Sequence, residues 1–365
     1  MKINTQRDVF LNKINIASHF TSNKLSSTAI LQGILCKEEK DELHIYSTNL
    51  KTYYHSKIKV PVEKNTEFVI EPRKIIEFLN FLEPRELIIE IKEKQIVFSQ
   101  GKTKGAFPLM SASDFPLPPK IQEKEEKINS KLLLKNLPLV LFAASADETR
   151  PILTGVNFVN SGESMIIVAT DGFRLSLLKE KGGVSIPSMI IPSDFIDELL
   201  RYAKDSKEIR MSFSREEKIT LFTVEDDEFY SRLIEGEFPP FERVIPTEVK
   251  TKIVADRSEL LRNTKLISVF ARDFSSVVVC KFSKNTLSMR PKKEASEENT
   301  AEQEVEMEGD EQQVAMNYKF LLDFLNHADC KKVTIEILRS DAPLVLRTDN
   351  NPQFLHIIMP VRIQE

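Results

Sequence analysis

Three observations predict an α+β chain made of three successive copies of one module. A short apolar strand that runs straight into a helix start recurs three times, a pair of alternating strands follows each copy, and an amphipathic helix lies well upstream of each. The 365 residues are too many for a single hydrophobic core and suit two or three domains.

In the first copy, residues 7–20 have the apolar spacing of an amphipathic helix. Phe68-Val69-Ile70 then reads as a strand, Pro72 opens a helix, and Ile75, Ile76, Phe78 and Leu79 follow at helical spacing. Residues 86–92 and 95–99 alternate and read as a hairpin. The second copy repeats this order, with a helix over 130–146, the strand Met189-Ile190-Ile191, a helix from Pro192, and a hairpin over 208–213 and 218–222. The third has a helix over 258–271, the strand Val314-Ala315-Met316, a helix from Asn317, and a hairpin over 332–338 and 343–347. Pro72, Pro192 and Asn317 stand 120 and 125 residues apart.

Two copies end in Pro-rich punctuation, Asp114-Phe115-Pro116-Leu117-Pro118-Pro119 and Glu237-Phe238-Pro239-Pro240-Phe241, where domain boundaries belong. The expected domains are 1–124, 125–248 and 249–365. Residues 294–311 carry nine carboxylates and no lysine or arginine, the composition of a solvated loop. Within them Glu304-Val305-Glu306-Met307-Glu308 alternates where the other copies have a strand, so the expectation is a loop leading into an edge strand.

Composition excludes several classes. Hydrophobic residues make up 41% and charged residues 29%, a globular balance, and no run is long and apolar enough for a membrane helix. The first residues, Met1-Lys2-Ile3-Asn4-Thr5-Gln6-Arg7-Asp8, lack the apolar core of an export signal, and Cys36, Cys280 and Cys330 are too few and scattered for a disulfide framework. Cytoplasmic location is the expectation, with no membrane partner. His19, His44, His55, His327 and His356 share no metal-binding spacing, so each is expected as a lone surface or half-buried side chain. No phosphate-binding glycine loop and no G-x-S-x-G elbow occurs. Asp147-Glu148 and Asp226-Asp227 are adjacent carboxylates with nothing nearby to complete a metal site. No cofactor, metal or catalytic constellation is expected.

A net charge of −4 rules out a generic polycation, so any nucleic-acid role has to be local. Basic residues do gather on the repeated helices: Arg73 and Lys74 at the start of one, Lys131 and Lys135 one turn apart on another, and Arg257, Arg262 and Lys265 on a third. Singly each is as well explained as a solvated charge. On equivalent helices of three similar modules they make one cationic surface suited to sequence-blind phosphate contact.

Four passages resemble the bacterial sliding clamp family, the β subunit of DNA polymerase III. They are Glu148-Thr149-Arg150-Pro151-Ile152-Leu153-Thr154-Gly155-Val156, Val168-Ala169-Thr170-Asp171-Gly172-Phe173-Arg174-Leu175, Glu235-Gly236-Glu237-Phe238-Pro239-Pro240-Phe241-Glu242-Arg243-Val244-Ile245-Pro246, and the closing His356-Ile357-Ile358-Met359-Pro360-Val361-Arg362-Ile363. Their order and spacing, with the threefold repeat, extend the resemblance over the whole chain. It implies three clamp-type domains per chain, each with two pore-facing helices and outer antiparallel sheets, and a six-domain ring formed by a head-to-tail homodimer. Function would be non-enzymatic: a ring around double-stranded DNA that tethers the replicative polymerase for processive synthesis. The implied partners are DNA, a second copy of the chain, a clamp loader, the polymerase and other proteins bearing clamp-binding motifs.

By position the resemblance implies a partner-peptide pocket of Leu153, Thr170, Gly172, Phe173, Arg174, Leu175, Pro239, Arg243, Val244, Phe274, Met359, Pro360, Val361 and Arg362. Phe173 replaces a histidine frequent in the family, which alters that edge. A DNA-facing set of Lys24, Arg73, Lys74 and Arg150 is implied, as is a dimer interface of Phe107 and Leu109 with Val269 and Phe270. Pro151 and Ile152 stand where some members have two DNA-touching tyrosines, so that contact is not expected here. Pro360 is expected to end the last strand and turn the tail toward the central module. Two other readings use the same residues: a three-module scaffold that forms no ring, and a small-molecule enzyme with a metal at one carboxylate pair.

Overall fold

The computed structural model describes residues 2–22, 28–60, 66–128, 132–162, 164–181, 186–204, 208–272, 275–292 and 299–362. Lys24, Lys131, Phe274 and the first part of the acidic stretch, 294–298, lie outside the described residues.

Among the described residues twenty-four strands fall into three runs of eight. The first run is β1 (Lys2–Gln6), β2 (Ile34–Glu39), β3 (Glu42–Thr48), β4 (Thr52–Lys59), β5 (Glu67–Ile70), β6 (Glu86–Ile91), β7 (Gln95–Gln100) and β8 (Thr103–Met110), with α1 (Arg7–His19) after β1 and α2 (Pro72–Asn80) after β5. The second is β9 (Glu126–Ile128), β10 (Gly155–Asn160), β11 (Ser164–Thr170), β12 (Arg174–Lys181), β13 (Met189–Pro192), β14 (Ile209–Ser214), β15 (Ile219–Val224) and β16 (Asp227–Arg232), with α3 (Pro138–Leu141) and α4 (Ser193–Ala203) in the same places. The third is β17 (Thr251–Asp256), β18 (Val277–Ser283), β19 (Thr286–Pro291), β20 (Ala301–Gly309), β21 (Gln312–Asn317), β22 (Lys332–Ile337), β23 (Leu344–Thr348) and β24 (Asn351–Ile358), with α5 (Arg257–Ala271) and α6 (Tyr318–His327). Helix, strand, helix and hairpin recur as the sequence repeat predicts.

The strands form two twelve-stranded sheets, and the middle run is shared between them: β9 and β14 to β16 in one, β10 to β13 in the other. Each sheet belongs to one compact unit, the first made of residues 1–129 and 201–233 and the second of 130–200 and 234–365. In the first unit β4 pairs antiparallel with β16, from Thr52 opposite Ser231 to His55 opposite Glu228. In the second β12 pairs with β24, from Arg174 opposite Ile358 to Leu178 opposite Phe354. Both joints use one rule: the fourth strand of a run receives the eighth strand of the next.

Helix starts follow capping chemistry. The Glu71 carboxylate accepts from the Arg73 N–H and Pro72 takes the first helical position, where its missing N–H is no loss. Asp256 caps α5 through the Glu259 N–H at 2.8 Å, and Asn317 caps α6 through the Lys319 N–H at 3.0 Å. In the first unit α1 buries Phe10, Ile14, Ile16 and Ala17, with the Phe10 ring 5.7 Å from that of Phe98. In the second α6 buries Leu321, Phe324 and Leu325, with Phe324 stacked 6.1 Å from Phe354.

Three expectations are corrected. Of the helix expected over 130–146, the described residues 132–146 do not form one helix: a wide π turn over Leu132–Asn136 precedes the short α3 at Pro138. Pro138 offers no N–H to the preceding turn, which breaks the helical ladder there. β20 is a strand but not an edge, for Ala301 to Glu304 pair with β19 and Val305 to Gly309 with β17. Its alternation leaves Glu302, Glu304, Glu306 and Glu308 exposed while Gln303 and Val305 are buried. Nor are the histidines all lone: His44 and His55 are hydrogen-bonded to each other, and His356 is fully buried.

Candidate functional site

The Thr170-Asp171-Gly172 run builds a tight turn between β11 and β12. Thr170 Oγ1 donates to the Arg174 carbonyl at 2.6 Å and accepts the Gly172 N–H at 3.0 Å. Asp171 Oδ1 accepts the N–H groups of Phe173 and Arg174 at 2.8 and 3.0 Å. Gly172 sits at φ +93°, where a side chain is strained. A Cβ built on it would also lie 3.3 Å from Arg150 Nη1. Arg150, expected to face DNA, is therefore beside this turn, ion-paired to Asp147 at 3.4 Å.

The turn holds Phe173 with its side chain 60% exposed. The Phe173 carbonyl accepts the Met359 N–H at 2.9 Å, so the tail after β24 docks directly on the turn. Two residues later the Val361 N–H donates to the Ala315 carbonyl at 2.8 Å, and its side chain packs on Val277, Val279 and Ala315. Pro360 follows the end of β24 as expected, but the tail bridges to both the second and third repeats rather than turning to the second alone. Leu175 belongs to a buried cluster with Val168, Leu177, Phe241, Val345, Leu355 and Ile357. Leu153 is likewise buried, while Pro239, Arg243, Val244 and Arg362 are exposed.

Arg174 is held on every side. Its Nε donates to Asp171 Oδ2 at 3.0 Å and its Nη1 to Asp323 Oδ2 at 2.5 Å. Its guanidinium also lies 4.8 Å from the Phe320 ring centre and 5.7 Å from that of Phe142. Only 11% of its side chain is exposed. Phe142 stacks in turn on His327 at 4.6 Å and packs on His356 at 5.2 Å. His356 Nδ1 is 2.7 Å from Ser176 Oγ across the β12–β24 joint, and its Nε2 has no hydrogen-bond partner among the described residues. Burial, followed by the charge of Arg174, pushes this imidazole down to about 3, so it stays neutral at ordinary pH.

Sequence reasoning missed Phe142, Phe320, Asp323 and His356. The spacing of Phe320 and Asp323, one turn apart on α6, was the available signal; that both meet Arg174 was not readable from a single strand or helix. Of the other expected residues, Arg73 and Lys74 are exposed at the start of α2, and Lys319 is exposed at the equivalent place in the third repeat. In the second repeat Ser193 and Asp194 stand there instead. Phe107 is half-buried, with its ring edge-on to Phe78 at 5.6 Å and Phe98 at 5.9 Å. Leu109 is half-buried on the same strand. Val269 and Phe270 are 52% and 44% exposed on α5. Among the described residues no three His, Cys, Asp or Glu side chains form a metal-binding group, and no helix is long and apolar enough to cross a membrane. Asp227 is engaged otherwise, accepting from Lys13 Nζ at 2.7 Å and from the Tyr54 hydroxyl at 3.0 Å.

Thrice-repeated modules whose sheets join strand four to strand eight define the sliding-clamp architecture. Comparison with known proteins agrees along the whole chain. Models of the N-terminal, central and C-terminal domains of the DNA polymerase III beta subunit match residues 1–119, 127–240 and 242–362. The chain belongs to the DNA polymerase III beta subunit family. It is 28% identical to the beta sliding clamp of Bacillus subtilis over 83% of this chain and 82% of the relative, and 26% identical to that of Treponema pallidum over the full length of both. Its fold matches the crystal structure of the DNA polymerase III beta subunit of Thermotoga maritima with a TM-score of 0.92 at 26% identity over all of both chains. The DNA polymerase sliding clamp of Bacillus subtilis matches at 0.90 and 25%, again over both chains entire.

Proposed function

We propose that this chain is a DNA sliding clamp that closes as a head-to-tail homodimeric ring around duplex DNA and tethers the replicative polymerase. The observation that carries the reading is the joint rule. Strand four meets strand eight of the next repeat twice within the chain, at β4–β16 and β12–β24. Under this rule two strands have no such partner among the described residues: β20, whose Ala301–Glu304 segment pairs on one side only, with β19, and β8, whose Thr103–Pro108 segment pairs on one side only, with β7. Pairing β20 of one copy with β8 of another applies the same rule a third time and closes a two-chain ring, an isologous pair of heterologous joints being the smallest closed solution. Charge supports it, since exposed Glu302, Glu304, Glu306 and Glu308 on β20 would meet exposed Lys102 and Lys104 on and beside β8. Val269 and Phe270 would cover Phe107 and Leu109.

Function then follows without catalysis. A closed ring retains DNA by topology, so the exposed Arg73, Lys74 and Lys319 need supply only weak, sequence-blind phosphate contacts, compatible with a net charge of −4. Tethering turns polymerase rebinding into an intramolecular event at high effective concentration. The partner's peptide would occupy the groove between the Thr170-Asp171-Gly172 turn and the Met359-Pro360-Val361 tail, with Phe173 and Val244 as exposed apolar edges. Threading a closed ring requires a clamp loader, and the cytoplasm is where such a ring meets chromosomal DNA. The test is retention of loaded protein on nicked circular DNA: a long-lived complex lost on linearisation supports the ring. Tight, salt-sensitive binding of the unloaded protein to short linear duplex overturns it.

A further inference from the structure

The sheet of the first unit carries an ionisable row across its β3–β4–β16 joint that tethering does not use. Strand register sets Tyr46, His55 and Glu228 side by side, and Lys37, His44 and Lys57 in the next row. His55 Nδ1 lies 2.7 Å from Glu228 Oε2, which also accepts from the Tyr230 hydroxyl at 2.6 Å. On the other side His55 Nε2 lies 2.9 Å from His44 Nδ1. The two imidazoles are tilted by only 3°, with ring centres 5.2 Å apart. That spacing is the N···N distance plus one ring radius at each end, so the nitrogens point straight at each other. Such a geometry holds a proton between them; a metal would need the two lone pairs to converge on a third point. Tyr46 stacks on His55 at 4.4 Å and keeps its ring in plane. His44 Nε2 faces Glu42 Oε2 at 3.7 Å, and Glu42 Oε1 pairs with Lys57 at 3.2 Å.

Proton placement follows from these contacts. Burial acts to raise the Glu228 carboxyl, but hydrogen bonds from His55 and Tyr230 hold it below the usual range, so it is an acceptor. His55 Nδ1 therefore carries a hydrogen, which leaves Nε2 as the nitrogen that can accept. His44 must donate from Nδ1, which leaves its Nε2 lone pair toward Glu42. One added proton at His44 Nε2 turns that repulsion into an ion pair and leaves every other bond intact. The bridging hydrogen can then sit on either ring, and a second proton would set N–H against N–H across 2.9 Å.

We propose that His44 and His55 form a one-proton acid sensor at the joint between the first and second repeats: the pair takes a single proton, refuses the second, and loosens the β4–β16 joint as acidity rises. Burial, then His55, holds His44 below the ordinary histidine range. Lys57 acts in the same direction, while Glu42 and Glu39 oppose it, and Lys37 stands directly across β2. The folded form thus binds fewer protons than the unfolded one, which takes two at its histidines near pH 6.5, so stability is complete above that pH and declines below it.

The test is amide hydrogen exchange, corrected for intrinsic rate, at pH 7.5 and 5.5, with the β6–β7 hairpin as internal reference. One refused proton at a pH one unit below the free histidine value costs the joint about tenfold in protection. Amides of residues 52–55 and 228–231 should lose that factor. The His44→Gln variant should lose less than twofold, because its side-chain amide can donate to His55 Nε2 or, flipped, accept from it. Nitrogen NMR of the imidazoles should show one ring of the pair neutral at pH 5. Equal protection of the wild-type joint at both pH values, an undiminished loss in the variant, or two imidazolium signals at pH 5 would each overturn the proposal.

Discussion

Replacing Arg174 with Gln tests whether this residue is a strut rather than a free cation at the groove. The guanidinium holds two carboxylates, and its loss leaves the Asp171 carboxylate, itself only 15% exposed, without its charged partner. One charge-assisted hydrogen bond in a mostly buried setting contributes about 1.5–3 kcal/mol, and the two aromatic contacts add roughly 0.5–1 kcal/mol each. Asp323 is 43% exposed, so its share is screened and small. The expected loss is about 3 kcal/mol, a fall in melting temperature of roughly 6–12 °C for a unit of about two hundred residues. Peptide affinity should fall for acidic and neutral peptides alike, because the turn moves rather than a charge disappearing from the surface. Calorimetric melting and titration with two clamp-binding peptides, one with an acidic flank and one without, measure both. A melt within 2 °C of wild type, or a loss confined to the acidic peptide, would refute the strut. Asp323→Asn, which leaves the Asp171 pair in place, should cost about 1 kcal/mol.

Other expectations follow from the same contacts. His356 is held neutral when folded, with its value down to about 3, so between pH 6.5 and that value the unfolded chain binds the extra proton and stability falls with pH, by about 2 kcal/mol at pH 5. Urea unfolding of wild type and His356→Gln at pH 7.5 and 5 should therefore differ in pH slope; parallel slopes would remove the buried imidazole from the account. Phe107→Asp places a charge beside Phe78 and Phe98, where burial of such a ring contributes about 1.5–3 kcal/mol, and should shift the protein from dimer to monomer by sedimentation at nanomolar concentration. Removing residues 359–365 deletes the Met359–Phe173 and Val361–Ala315 bonds but leaves β24 paired to β12 and β23, so the dimer should persist while peptide binding is lost. Undiminished affinity in calorimetry would place the groove elsewhere.

Much of the fold is legible in the sequence because its signals are local. Pro72 and Asn317 mark helix starts by their own backbone chemistry, and the hairpins announce themselves by alternation. The 130–146 segment misleads for the same reason, since its apolar spacing is helical while Pro138 forbids the ladder bond that would join its halves. The acidic strand β20 shows the limit of composition. Nine carboxylates suggest a solvated loop, yet the alternation in residues 301–309 puts every glutamate on the solvent face and Gln303 and Val305 on the buried one, while the backbone pairs with β19 along one half and β17 along the other.

The groove and the joints were less legible because their chemistry is made between strands distant in sequence. His356 and Ser176 are 180 residues apart, and His55 and Glu228 are 173 apart. Neither pair forms a motif, so spacing arguments alone classed the histidines as isolated. Yet the two within-chain joints are alike in carrying a histidine whose ring nitrogen bonds across the strand boundary at 2.7 Å. Their settings differ: one ring is sealed among Phe142, Phe324 and Ser176 and has nowhere to place a proton, while the other is half-buried between the Glu228 carboxylate and the His44 imidazole, so a proton is taken by the pair. The two within-chain joints therefore combine like antiparallel backbone pairing with unlike side chains, and acid should loosen them by different routes. At β12–β24 the penalty is that of charging a buried base; at β4–β16 it is that of the second proton only, so His44→Gln should relieve one joint and leave the other as sensitive as before.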